Sequence, residues 1–291
     1  MDQAEQLRNI IKAENPNRPL ARVITITSGK GGVGKSNTAI NLAVQFRKMG
    51  QRVIILDADF GLANIEIMFG AVPKHNLCDL IYQGKNIREI ITWGPMEIGF
   101  ISGGSGIAGL SNLSKDYLTY IIQNLAELDA IADIIIVDTG AGIADAVLEF
   151  LVASGEIILV TTPEPTSITD SYSLLKALSR HPRFSAEKSQ IKMLSNRVDR
   201  EEDGLLLFDK LNAVVTRYLK LPITFLGAVP YDSQLSKAVM QQMPVSIQVP
   251  QAKSSLAYET IAEKLMGKEM PVQRRGMAAF FSHIINGKKM G

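Results

Sequence analysis

Short β-branched apolar runs alternate along this chain with longer stretches in which apolar residues return every three or four positions. Val23, Ile24 and Ile26 make the first run, and Ala39, Ile40, Leu42, Ala43 and Phe46 follow at helical spacing. Further runs at Arg52–Leu56, Ile134–Val137, Ile157–Val160, Ile191–Leu194 and Phe225–Val229 have the length and composition of buried strands. Helical spacing recurs over Leu77–Ile91, broken near Gly84, and again over Leu118–Leu128, Leu235–Met240 and Ser255–Met266. Strands alternating with helices in this way predict one α/β domain built on a doubly wound, mostly parallel sheet.

Both ends of the chain break the pattern. In residues 1–19, Asp2 can cap a short helix with Leu7, Ile10 and Ile11 on one face, and Asn15, Pro16, Asn17 and Pro19 then form a linker. So short a helix is marginal alone in water, so it either docks on its own domain or folds on a partner. At the other end, residues 271–291 hold a linker and a stripe of Met277, Phe280, Phe281, Ile284 and Ile285, flanked by Arg274, Arg275, Lys288 and Lys289. Such a stripe either packs on its own domain or lies in a membrane interface, and the basic flanks favour the second. Ser282, His283 and Asn286 occupy its polar face in place of lysines. The domain itself is expected over residues 20–270.

Composition narrows the picture little. The chain has 291 residues, 46% hydrophobic and 21% charged, with a formal net charge of +2, as in an ordinary globular protein. The charge gives no call for nucleic acid, and no basic cluster of the kind a DNA partitioner needs stands out. Cys78 is the single cysteine, which excludes a disulfide framework and suits a reducing cytoplasm. It also excludes a cluster needing two cysteines per subunit. No apolar run reaches the length of a membrane span. The scattered histidines have no ligand spacing.

The chemistry begins where the first strand meets the first helix. Gly29, Lys30, Gly31, Gly32, Val33, Gly34, Lys35 and Ser36 fit G-x-x-x-x-G-K-[S/T], with Asn37 following. The glycines let successive N–H groups turn toward one anion, and the helix N-terminus adds positive charge. Lys35 would reach the β and γ phosphates and Ser36 would ligate Mg²⁺. The second strand ends in Asp57 and Asp59, at the end of an open sheet where ligands bind. Ile134–Val137 ends in Asp138, the arrangement in which a carboxylate holds Mg²⁺ through water. The glycine-rich stretch Phe100–Leu110 lacks a Gly-Lys-Ser ending and reads as a turn. Ser167 or Thr169 is expected to cap the helix after Ile157–Val160.

Lys30, placed directly after the first glycine, reads as a solvated charge or as a residue reaching into another subunit's nucleotide. With it, the loop resembles the deviant Walker A motif of the MinD/ParA family of dimerising ATPases. The tail Asp2-Gln3-Ala4-Glu5-Gln6-Leu7-Arg8 resembles the DQAxxLR signature of the flagellar branch of that family, called FlhG, YlxH or FleN. The resemblance implies a slow, Mg²⁺-dependent ATP hydrolase that cycles between ATP and ADP and forms a homodimer with ATP. Lys30 would touch the partner's phosphates, Asp59 would orient the attacking water and bind near Mg²⁺, and Asp57 would support it. Asn196, Arg197, Pro230, Tyr231 and Asp232 would hold adenine. Glu164 and Asp170 would lie at the dimer seam, helix capping being an equal reading for Asp170. Asp2, Gln3, Ala4, Leu7 and Arg8 would stimulate FlhF, a GTPase of the signal-recognition-particle type. Flagellar switch-ring proteins and a transcription activator are further implied partners. The C-terminal helix would carry the ATP form to the inner face of the cell membrane, the ADP form staying cytoplasmic. The alternatives are a MinD-type division-site regulator, which leaves residues 2–8 unexplained, and a ParA-type DNA partition ATPase, for which no basic cluster is visible.

Overall fold

A computed structural model describes residues 20–59, 64–103, 123–267 and 276–287, with side chains to Ile284 in the last segment. The expectations for the tail, for residues 104–122 and for the basic flanks of the last helix lie outside these residues, and that for the Ile285 side chain lies outside the described side chains.

The strands are β1 (Arg22–Ser28), β2 (Val53–Ala58), β3 (Thr92–Trp93), β4 (Gly99–Ser102), β5 (Ile134–Ala141), β6 (Glu156–Thr161), β7 (Gln190–Val198) and β8 (Thr224–Pro230). They form one eight-stranded sheet in the order β3-β4-β2-β5-β1-β6-β7-β8. Every pairing is parallel except the short β3–β4 hairpin at one edge. Successive side chains of a strand face opposite ways, so Ile134 and Ile136 enter one core and Ile135 and Val137 the other. That is why the predicted strands read as unbroken apolar runs.

The longer helices are α1 (Lys35–Lys48), α2 (Asp145–Ala153), α3 (Pro165–Arg180), α4 (Glu201–Leu219), α5 (Lys253–Met266) and α6 (Gly276–Gly287). Helices α1 and α5 cover one face; α2, α3, α4 and α6 cover the other. The Leu77–Ile91 periodicity resolves into helices Leu77–Gln83 and Ile87–Ile90, separated by Gly84 at φ 68°. Each of the pair opens with an asparagine capping box, Asn76 with Asp79 and Asn86 with Glu89. Phe100–Ser102, expected to open a turn, belongs instead to the strand Gly99–Ser102 paired with β2.

The floor of the sheet, away from the glycine loop, is fastened by charge. Glu156 is fully buried at the start of β6 and accepts from Arg22 Nε and Nη2 at 2.8 and 2.7 Å and from Lys192 Nζ at 3.1 Å. Burial pushes its carboxyl up, but the two cations outweigh this and hold it below the usual range. Arg22 also donates to the Leu265 carbonyl at 2.5 Å, so β1, β6, β7 and α5 meet at one acid.

Helix α6 packs into the main core. Met277, Phe280, Phe281 and Ile284 are 0 to 1% exposed, and Phe280 stacks at 5.8 Å from Phe150 of α2. Ala278 and Ala279 are buried as well. Ser282, expected on a polar face, is buried too and returns its hydroxyl to the Ala278 carbonyl at 2.6 Å. Of the two sequence readings for this stripe, the structure holds the docked one. No described helix is long and apolar enough to cross a membrane.

Candidate functional site

The site lies at the C-terminal ends of β1, β2, β5 and β7, where Arg22–Ser28 hands over to α1 through the glycine loop. Gly32 and Gly34 take φ of 76° and 97°, conformations that strain any side chain. Close packing fixes two more features of the loop. A Cβ on Gly29 would sit 2.2 Å from the Asp170 backbone of α3, and one on Gly34 would sit 2.3 Å from Asn196 Nδ2. Asn196 Nδ2 donates to the Val33 carbonyl at 2.7 Å, which ties β7 to the loop.

Three carboxylates face one lysine. Lys35 Nζ donates to Asp138 Oδ1 at 2.9 Å and lies 3.8 Å from Asp59 Oδ2. Asp57 and Asp138 are register partners on adjacent strands. Burial pushes the Asp138 carboxyl up, opposed by Lys35 and by a hydrogen bond from Ser36. Asp138 Oδ2 is buried and has no partner. Asp57 Oδ1 accepts from Asp59 N at 3.1 Å and Oδ2 from Ile65 N at 3.4 Å, so this carboxylate holds both flanks of the segment 60–63. Burial, followed by the Asp138 charge, pushes Asp57 up to about 7.

The Asp57 shift has a measurable sign. A carboxyl raised on folding contributes its full stability below the unfolded value near 3.8 and loses it as pH rises through about 7. Asp57→Asn removes that loss. Its melting temperature, relative to wild type, should climb between pH 5 and pH 8 by the equivalent of about 2.5 kcal/mol. Thermal melts across that range check it, and a difference that stays flat with pH would disprove an elevated Asp57.

These residues fit Mg²⁺ and a nucleotide. The buried, unpartnered Asp138 Oδ2, the Ser36 hydroxyl beside it and the half-buried Asp59 offer oxygen donors. No trio of protein metal ligands exists among the described residues, and Mg²⁺ in such sites completes its shell with phosphate oxygens and water. Lys35, now held by Asp138, is the cation that a triphosphate would draw off.

Lys30 points away from this cluster. Its Nζ donates to Glu164 Oε2 at 2.7 Å and Thr166 Oγ1 at 2.8 Å, joining the loop to the start of α3. The hydrogen bond from Lys30 holds the Glu164 carboxyl below its usual range. The sequence named Lys30 and Glu164 separately; the structure brings them together. Thr166 was missed, since a hydroxyl in a Thr/Pro-rich loop carries no spacing signal. The capping expectation fails: Glu164 is the N-cap of α3, the Ser167 hydroxyl accepts from Thr162 N, and Thr169 donates to the Pro165 carbonyl. The Asp170 backbone lies close against Gly29, leaving no room there for a side chain.

The residues expected around adenine are partly assembled. Arg197 is exposed with φ 57°, and Tyr231 is exposed beside Pro230. Asp232 is committed elsewhere, its oxygens accepting from Gln234 N at 2.8 Å and from Ser254 N and Oγ at 3.0 and 2.9 Å. Burial pushes this carboxyl up, but those bonds outweigh it and hold it low.

Residues 20–266 match the family model described as "ParA: NUBPL iron-transfer P-loop NTPase". The chain is 37% identical over 260 residues to the antiactivator FleN of Pseudomonas aeruginosa, covering 89% of this chain and 91% of that protein. It is 32% identical to the flagellum site-determining protein YlxH of Helicobacter pylori, covering 98% of each. Among solved structures, the septum site-determining protein MinD complexed with Mg-ADP, from Pyrococcus horikoshii, superimposes with a TM-score of 0.65. That match has 22% identity and covers 84% of this chain and 96% of that one.

Proposed function

The chain belongs to the ParA/MinD family of P-loop ATPases, hydrolysing ATP with Mg²⁺, and we propose that it is the switch that regulates flagellar number and placement. One observation carries this reading: the likeness to a flagellum site-determining protein runs over 98% of both chains. A division-site MinD matches over 87% of this chain at 24% identity. The family model's iron-transfer label does not suit a chain whose single cysteine is Cys78.

In this reading ATP draws Lys35 from Asp138 and makes a homodimer, for which Lys30 leaves Glu164 to reach the partner's phosphates. Asp59 orients water, and Asn196, Arg197, Pro230 and Tyr231 hold the base. Ser36, Asp59 and Asp138 would hold, partly through water, the Mg²⁺ that when bound would offset the phosphate charge. Helix α6 leaves its core seat in the dimer and inserts in the inner face of the cell membrane; hydrolysis returns a cytoplasmic monomer. The tail acts on the SRP-type GTPase FlhF through Gln3, while switch-ring proteins and a transcription activator meet the same dimer.

The tail separates this reading from a division-site or DNA-partition ATPase. A peptide of residues 1–19 should stimulate GTP hydrolysis by the SRP-type GTPase, and the Gln3→Ala peptide should lose most of that effect. Residues 20–291 alone should hydrolyse ATP normally without stimulating the GTPase. Equal stimulation by both peptides would remove the glutamine, and no stimulation by either would remove the partner.

A further inference from the structure

Helix α6 carries neither an acid in its first turn nor a base in its last. Other elements supply both. At its start, the Met277 N–H donates to Asp129 Oδ1 and Oδ2 at 3.1 and 3.3 Å, and Asp129 is buried on the short helix Leu128–Ile131. Near its end, the His283 carbonyl accepts from Arg183 Nη1 at 2.5 Å. The other arm of that guanidinium is paired with Glu149 of α2, and His181 at the end of α3 lies 3.7 Å from the same carboxylate. An anion at the positive end of a helix and a cation at its negative end both favour the docked helix.

Asp129 has a second guest. The Ala21 N–H donates to Oδ1 at 3.3 Å, so one oxygen holds both the root of the N-terminal tail and the first turn of α6. Gly276, at φ 68°, makes the approach possible: a Cβ there would lie 2.5 Å from Asp129 Oδ2 and 2.9 Å from Leu20 Cδ2. Leu20 is thus packed against the residue at which α6 begins. If α6 leaves, Leu20 loses that wall and Asp129 becomes open to water, which competes for its bond to Ala21.

We propose that the two ends of the chain are held and released together through Asp129, so that undocking α6 also frees the root of the tail. Resting on the reading of both termini as working parts, this makes presentation of the tail conditional on departure of the helix. By reciprocity, a partner that pulls the tail root from Asp129 weakens the docking of α6 by the same factor.

The test perturbs α6 at the end away from the tail. In the full-length protein, without lipid or GTPase, backbone amide exchange is followed at Leu20, Ala21 and residues 277–284 in wild type and Arg183→Ala. Loss of one charge-assisted hydrogen bond should raise exchange about tenfold or more in α6. Coupling requires the same direction of change at Leu20 and Ala21, with Arg183→Lys intermediate and ATP turnover as in wild type. Should Arg183→Ala fail to fold, Glu149→Gln loosens the same clamp. Faster exchange in α6 with an unchanged tail root overturns the coupling, and no change in either overturns the charged clamp. Because no membrane is present, coupled exchange in a protein that never binds vesicles would sink the membrane reading alone.

Discussion

Asp59→Ala should bind ATP, accumulate as a dimer and lose turnover by about 10²–10⁴-fold, the size of a water-orienting group. In the structure Asp59 stands at the end of β2 with its Oδ2 3.8 Å from Lys35 Nζ, too long for a strong pairing. Its removal leaves the Lys35–Asp138 bond at 2.9 Å in place and subtracts one negative charge from the phosphate site. Affinity for ATP should therefore hold or rise while catalysis falls, the pattern of an interaction made in the transition state. Lys35→Ala should do the opposite and abolish binding, stranding Asp57 and Asp138 without their cation. Size exclusion with ATP, run beside a phosphate-release assay, separates the two. An Asp59→Ala protein that binds ATP yet stays monomeric, or that keeps wild-type turnover, refutes the assignment.

On the proposed membrane cycle, Phe281→Glu should abolish ATP-dependent vesicle binding and also lower the melting temperature, because the same side chain would serve two environments. Phe281 is 0% exposed and meets Phe280 edge-on at 5.5 Å. A carboxylate cannot stay in that seat uncompensated, so the helix leaves the core at a cost of about 3 kcal/mol or more. It cannot enter lipid either. For wild type, the proposed insertion would compete with docking for one apolar face, so a single helix would gain little by moving. Two helices on a dimer make the second insertion intramolecular, raising avidity by about 10²–10⁴ without new contacts. Wild type should therefore co-sediment with anionic vesicles in ATP and not in ADP. High salt should weaken the binding only in part, since the apolar term survives screening. Sedimentation of wild type that ignores the nucleotide would separate the helix from dimerisation.

What the sequence made legible follows from range. The glycine loop, the strand-ending acids and the main strands are local signals, and each stands where its own residues imply. Thr92–Trp93 and Gly99–Ser102 were too short to show a period, and their existence depends on pairing. Helix α4 drew no expectation, and its exposed Leu205, Leu206, Val214 and Tyr218 blur the contrast between faces. The last helix shows the limit most plainly. Met277, Phe280, Phe281 and Ile284 are buried together as their spacing implied, but such a stripe is compatible with lipid or core. The groups that clamp the helix there, Asp129 and Arg183, lie 148 and 100 residues away in sequence from their contacts on it. The pairing of Lys30 with Glu164 has the same character: the residues are nameable one by one, and their meeting is set by the crossover from β6 to α3.

The acid under the sheet bears on how such a chain can diverge. Glu156, gripped by Arg22 and Lys192, fixes the relative height of β1, β6 and β7 from the floor. Strand register is then settled independently of the loops at the opposite ends. Substitutions among those loops are felt where they occur and need not be compensated across the whole sheet. A lineage can therefore exchange one loop-borne partner for another by few steps. A change at Glu156 itself strands two cations at once and offers no such gradual path.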